Sequence, residues 1–142
     1  MVARLIRSSR AAAIDAGVEP IPLAMRTRLS GFFPETLLDR VRYRVGSGTD
    51  TSVQGYLFQS EYFLATTLDD VIVFRNREDA ETDAVLWAHE LAHVQQFERM
   101  GIDGFAHSYV RDHQALEHAA MRVAGQYDSW ARRHGKAPPI TH

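Results

Sequence analysis

The sequence predicts an α+β fold in which a small, mostly antiparallel sheet packs against two long helices, with further helices at the N-terminus. Two patterns carry this prediction. Apolar residues alternate with polar ones over residues 41–45, as in a half-buried strand, and residues 71–74 form an apolar β-branched run. The segments on either side instead repeat their apolar residues with helical spacing. A length of 142 residues, 45% of them hydrophobic, is enough for one domain with a core.

The N-terminal region, residues 1–22, is interpreted as a helix and a linker. A helix is predicted over residues 3–16, with Gly17 at its end, and prolines break the chain at positions 20 and 22. Three arginines with a spacing of three form a basic stripe on this helix: Arg4, Arg7 and Arg10. The stripe fits an ordinary solvated face, and contact with an anionic surface is the alternative.

The single domain is predicted to span residues 23–135, followed by a tail at 136–142. It begins with a helix over residues 23–33, and Pro34 suits the first turn of a short helix that reaches residue 38 or 39.

Three or four short strands are predicted in the middle of the chain, within residues 41–45, 53–58, 62–67 and 71–74. Strands that follow one another with short connections favour antiparallel pairing. This is the basis for a small, mostly antiparallel sheet.

Two long helices are predicted after the sheet. The first runs from about residue 80 to 100, with Gly101 able to end it. A short helix from Asp103 to Tyr109 follows. An interruption at Arg111 and Asp112 would then separate it from the second long helix, predicted over residues 113–133.

Composition excludes several classes of protein and site. A net charge of −2 argues against a general nucleic-acid binder. The absence of cysteine excludes disulfides, thiolate nucleophiles and cysteine-based zinc sites. No signal peptide or membrane span is identified, so we expect a cytoplasmic protein at synthesis, which export by a dedicated machine would also fit.

The first long helix carries a His-Glu-x-x-His motif made by His89, Glu90 and His93. Residues four apart lie on one helical face, so the two imidazoles can bind a single metal ion. Glu90 lies beside the metal-bound water rather than at the metal, which makes it a candidate general base. The apolar flanks predict a buried helix, where a divalent cation offsets the cost of burying ionisable groups. Two histidines that only hydrogen-bond within the core are the alternative.

Catalytic zinc commonly has three protein ligands, so a third is expected from elsewhere in the chain. Glu117 is the preferred candidate because its neighbours are small or apolar, which suggests a buried carboxylate that needs a partner. Its alternative is a surface glutamate in an ion pair. His113 and His118 are the rival ligands.

An oxyanion donor is also expected near the metal. His113 and Tyr109 lie one and two turns before Glu117 and would share its face in a continuous helix, with His113 ranked slightly higher. A break at residues 111–112 would remove this argument.

The run His-Glu-Leu-Ala-His-Val-Gln-Gln at 89–96, followed by Glu-His-Ala-Ala at 117–120, resembles the compact gluzincin metallopeptidases. It is most similar to the small metallopeptidase-like domain found beside bacterial extracellular contractile injection systems, and the resemblance extends over about residues 29–124. It implies a zincin-like fold with an active-site helix, the ligands His89, His93 and Glu117, and the base Glu90. Larger gluzincins often carry an acidic residue four positions after the ligand glutamate, where this sequence has Met121.

The resemblance further implies that the strand at 71–74 borders the cleft and aligns an extended peptide by strand addition. An edge strand covered by its own chain is the alternative.

The leading hypothesis is a bacterial zinc metalloendopeptidase, in which a metal-activated water attacks a peptide bond with Glu90 as base. Its partner would be a peptide or protein substrate. The alternative is a weak or inactive zincin-like binding module that docks with protein partners in a secretion or injection system. An effector toxin delivered by such a machine is compatible with the first hypothesis, by family analogy alone.

Overall fold

The computed structural model describes residues 1–46 and 64–136 of the chain. Helix α1 spans Val2–Ala16 and ends at Gly17, whose φ of 113° disfavours other residues. Two of its arginines pair with other elements, Arg7 with Asp103 at 3.0 Å and Arg10 with Asp70 at 2.7 Å. The basic stripe is therefore partly used to hold α1 against the rest of the molecule.

Two short helices follow a strand that the sequence did not indicate. Strand β1 comprises Glu19–Pro20, α2 spans Leu23–Leu29, and α3 spans Glu35–Arg40 after Pro34. The helix predicted over 23–33 is too long, because Ser30 is extended and forms an isolated bridge with Phe33.

The sheet also contains β2 (Arg42–Val45), β3 (Ala65–Leu68) and β4 (Val71–Phe74), in the spatial order β1-β2-β4-β3. Strands β3 and β4 form an antiparallel hairpin, whereas β2 pairs with β4 in parallel, Tyr43 opposite Ile72. Strands β1 and β2 are also antiparallel, so the described pairs are mostly antiparallel, as predicted. The β2–β4 pair makes the sheet mixed, because β4 lies between β2 and β3. The strand predicted over 53–58 lies outside the described residues.

Strand β4 is an internal strand, buried along its whole length. The expectation that residues 71–74 border a cleft at the sheet edge is therefore wrong. Among the strands that the structure describes, the outer position beside β4 belongs to β3, since β4 has β2 on its other side.

The predicted start of the first long helix near residue 80 is also wrong. Residues Arg77–Thr82 form a separate helix, α4, whose N-terminus is capped by Asn76. Helix α5 then spans Ala84–Arg133, and the Asp83 carboxylate accepts a hydrogen bond from the Leu86 amide at 2.9 Å.

Helix α5 is interrupted at Gly101 (φ 73°, ψ 170°) and Asp112 (φ −163°, ψ 80°). These breaks divide it into a motif segment (84–100), a middle segment (102–111) and a third segment (113–133). The predicted end at Gly101 and the predicted interruption at residues 111–112 are confirmed. The two breaks reverse the direction of the chain, so that the third segment returns to the motif segment.

Two apolar clusters hold these elements together. The larger lies between the sheet, the motif segment, α2, α3 and the third segment. The smaller lies between α1, the β3–β4 hairpin, the end of the motif segment and the middle segment. Trp87, Leu91 and Val94 belong to the larger cluster, and Ile6, Phe97 and Phe105 to the smaller. Across residues 1–46 and 64–136, no helix has both the length and the apolar character of a membrane span.

Candidate metal centre

The motif segment presents His89 and His93 from one face, as their spacing predicts. Their ring centroids are 4.9 Å apart. The segment is tied to the sheet edge where the Thr67 hydroxyl of β3 donates to the backbone carbonyl of Glu90, at 3.2 Å. The two imidazoles therefore lie beside β3 on a helix whose opposite face is buried in the larger cluster.

The third segment brings the Glu117 carboxylate to both imidazoles. Its Oε2 lies 3.0 Å from His89 Nε2, and its Oε1 lies 3.0 Å from His93 Nε2. Burial raises the pKa of Glu117, but the contacts with the two histidines outweigh it and leave the pKa well below its ordinary value. Glu117 is thus a carboxylate held in its ionised form between two histidines.

His93 is the most deeply placed of these three groups and is 6% exposed. Burial lowers its pKa, but the hydrogen bond with Glu117 and the charges of Glu90 and Glu117 raise it, and the net direction is upward. Contact between His93 and Glu117 therefore stabilises the charged form of each group.

Glu90 differs from its neighbours because it is buried without a full set of partners. The side chain is 3% exposed, and Oε2 has no hydrogen-bond partner among the described residues. Burial is the largest influence on the pKa of Glu90 and raises it. The charges of His93 and His89 lower this pKa, the charge of Glu117 raises it, and the pKa lies above its ordinary value. An unpaired buried carboxylate is costly, so a group absent from the chain itself is expected to interact with it.

A cavity of about 560 Å³ opens beside these groups and reaches His89, Glu90, His93 and Glu117. Its walls come from α1, β3 and all three segments of α5. Apolar side chains form much of the wall, including Val2, Ile6, Leu64, Val85, Phe105 and Leu116. A molecule bound in this cavity would contact apolar side chains and, at one side, the polar groups of the motif and Glu117.

The other candidates are placed differently around this cavity. Tyr109 lines it, whereas His113 and His118 are exposed and do not. The ring of His113 lies 5.6 Å from that of Tyr109. The break at Asp112 removes the shared helical face that was the reason for considering Tyr109. Met121, at the position of the expected acidic residue, lines the cavity and is 60% exposed.

The family model of the eCIS core domain matches residues 20–102, which is more than half of the chain. The chain belongs to the eCIS core domain family. The abbreviation denotes extracellular contractile injection systems, so the association with these systems that the sequence suggested is confirmed. No curated protein and no solved structure matches the chain.

The eCIS core domain match covers the sheet and the motif segment, including His89, Glu90 and His93, but not the third segment with Glu117. It also stops short of α1, which supplies Val2 and Ile6 to the cavity. The site is thus built from the matched region and from two elements outside it.

The donor set fits a zinc ion. Two donors bound to a tetrahedral zinc at about 2.0–2.1 Å lie roughly 3.3 Å from each other, and each imidazole nitrogen lies 3.0 Å from a Glu117 oxygen. Donor atoms of His89, Glu90 and His93 also lie within 4.8 Å of one another. Glu117 is better placed than Glu90 to complete this donor set, because Glu117 contacts both imidazole nitrogens directly.

Sequence reasoning did not assign a role to Gln96, which contacts His93, or to Thr67. Gln96 stands inside the quoted 89–96 run, one turn after His93. Its helical spacing from His93 was an available signal, since residues three apart are neighbours on a helix. Thr67 gave no signal, because its contact with the motif segment arises only from the packing of β3.

Proposed function

We propose that this eCIS core domain is a zinc-binding module that docks with protein partners within an extracellular contractile injection system. Family membership supports the assembly role. The convergence of His89, His93 and Glu117 supports the zinc site, because two imidazoles and an ionised carboxylate from separate segments meet within contact distance. Zinc would join the motif segment to the third segment and so fix the cavity between them.

A second function, peptide hydrolysis at the same site, is favoured by Glu90. A site that served stability alone gains nothing from a buried carboxylate whose Oε2 lacks a partner among the described residues. Bound zinc supplies a Lewis acid that polarises a carbonyl group. Glu90 Oε2 can take a proton from a water molecule in the cavity and give it to the leaving amine.

The sheet edge supports the same second function. Residues 64–67 line the cavity, and β4 is the one strand paired with β3 among the described residues. An extended peptide can pair with such an edge through backbone hydrogen bonds. Tyr109, also in the cavity wall, is the better placed of the two oxyanion-donor candidates.

Metal analysis tests the zinc site. We expect about one zinc per chain, with occupancy lost in Glu117→Ala and in His89→Ala. His118→Ala is the matched control, because His118 neighbours Glu117 in sequence but is exposed. Full zinc binding by Glu117→Ala, with loss in His118→Ala, would show that the third ligand is wrong.

Co-sedimentation with purified injection particles tests the docking role. The zinc-loaded chain should pellet with the particles. A smaller fraction of the Glu117→Ala chain should pellet, because this variant lacks the zinc that would join the motif segment to the third segment. Recovery of the wild-type chain only in the supernatant would contradict docking.

Peptide-library cleavage by wild type and Glu90→Gln separates the two functions. Hydrolysis predicts that Glu90→Gln retains its zinc and fold but loses roughly 10²-fold or more of the activity. Equal cleavage by both would remove Glu90 from the mechanism. If neither protein cleaves any peptide, hydrolysis is contradicted and docking remains as the proposed function.

A further inference from the structure

Gln96 links the two parts of α5 that carry the proposed ligands. It is 3% exposed and lies one turn after His93 on the motif segment. Its Oε1 lies 2.7 Å from His93 Nδ1, and its Nε2 donates to the backbone carbonyl of Leu116 at 3.0 Å. One side chain therefore contacts a ligand and the residue that precedes another ligand.

The Leu116 carbonyl decides the orientation of this amide. A carbonyl can only accept, so the amide nitrogen of Gln96 must point toward it, and the amide oxygen must then point toward His93. That oxygen can only accept in turn, so the proton of this contact belongs to His93 Nδ1. In the neutral ring the lone pair is then on Nε2, the atom that faces Glu117.

We propose that Gln96 is a positioning residue of the metal site, an inference that rests on the proposed zinc binding. It holds the His93 ring through Nδ1, so that Nε2, on the side of Glu117, is the nitrogen that would bind the metal. It also ties the motif segment to the start of the third segment, one residue before Glu117. Both effects reduce the rearrangement that metal binding requires, because the ring orientation and the distance between segments are set in advance.

The matched comparison for Gln96 is Gln95, the adjacent residue of the same type, which has no hydrogen bond to His93 or Leu116 among the described residues. Zinc affinity is measured by competition with a chromogenic chelator, well below the melting temperature of each metal-free variant. Gln96→Met preserves length but removes both hydrogen bonds, and we expect roughly 10–100-fold weaker zinc binding. Gln95→Met should bind zinc like wild type.

Two further variants separate positioning from simple packing. Gln96→Glu keeps an oxygen acceptor for His93 Nδ1 but loses the donor to the Leu116 carbonyl, so its zinc affinity should lie between those of Gln96→Met and wild type. Gln96→Asn keeps an amide but is too short to make both contacts, so its affinity should fall. This variant also retains a polar group, which keeps the test available if Gln96→Met does not fold.

The outcomes distinguish the two proposals. If Gln96→Met binds zinc with wild-type affinity, the role of Gln96 is overturned while the metal site stands. If Gln96→Met does not fold, the same result with Gln96→Asn decides the question. Failure of Gln96→Glu to recover affinity above that of the weakened variant would also overturn it. A wild-type chain that binds no zinc would instead overturn the proposed function, and the positioning role with it.

Discussion

The motif segment has a packing side, formed by Trp87, Leu91 and Val94, and a neighbouring polar side, formed by His89, Glu90 and His93. The two sides bury their side chains under different conditions. On one side, Trp87 is fully buried, and its indole nitrogen donates to the Ala80 carbonyl at 2.7 Å. On the other, Glu90 is buried to nearly the same degree, but its Oε2 has no partner among the described residues. The buried polar atom of Trp87 thus has a hydrogen-bond partner, whereas a buried oxygen of Glu90 lacks one among the described residues. Such a local conflict within a well-packed helix is expected at functional sites.

The neighbours of the two sides explain this difference. Trp87 packs edge-on against Tyr43 and tilted against Phe74, with ring centroids at 5.5 and 4.7 Å. Glu90 faces a cavity and two imidazoles instead. The packing side should therefore control stability, and the polar side should control metal binding.

The largest effect is expected from Trp87→Ala, which should lower the free energy of unfolding by about 3–5 kcal/mol because it leaves a cavity in the core. Denaturant unfolding would measure it. Trp87→Phe is the control, since it keeps an aromatic ring but leaves the Ala80 carbonyl unpaired, and its loss should be smaller. Equal stability of wild type and Trp87→Ala would break the assignment of stability to this side.

Metal removal probes the polar side and should have the next largest effect. Zinc at 100 times its dissociation constant stabilises the folded state by about 2.7 kcal/mol, so chelation should lower the melting temperature. The chain should remain folded, because the two apolar clusters do not depend on the ligands. A His89→Ala/His93→Ala variant should not respond to the chelator. An unchanged melting temperature after confirmed metal removal would contradict the prediction.

A smaller effect tests the turn that brings the third segment back to the polar side. Gly101→Ala should destabilise the fold by about 1–3 kcal/mol, because φ 73° and ψ 170° are available essentially to glycine alone. A methyl group there would meet no atom within 4 Å, so the cost is conformational rather than steric.

Gly125 provides the matched control for that substitution. It also has open space around it but lies in regular helix, so Gly125→Ala should stabilise by about 0.5–1 kcal/mol. Thermal unfolding of both variants would measure the difference. Effects of the same sign would indicate that the conformation of Gly101 is not what sets the turn.

The local features of the site were predictable because they follow from helical geometry. His89 and His93 share a face since they are four residues apart, and Gly101 ends the motif segment because it accepts a positive φ. The predictions were wrong where the position of a strand depends on pairing with a segment far away in the sequence. β4 was expected at the sheet edge, but its pairing with β2 makes it internal.

Residues close along the chain were enough to predict the motif, its helix and the breaks at Gly101 and Asp112. Long-range packing instead makes β3 the outer described strand beside the cavity, brings Glu117 to both imidazoles, and places Gln96 against Leu116. It also decided that Glu90 Oε2 is left without a partner among the described residues. These outcomes depend on contacts between residues far apart in sequence, which helical and strand periodicity do not specify.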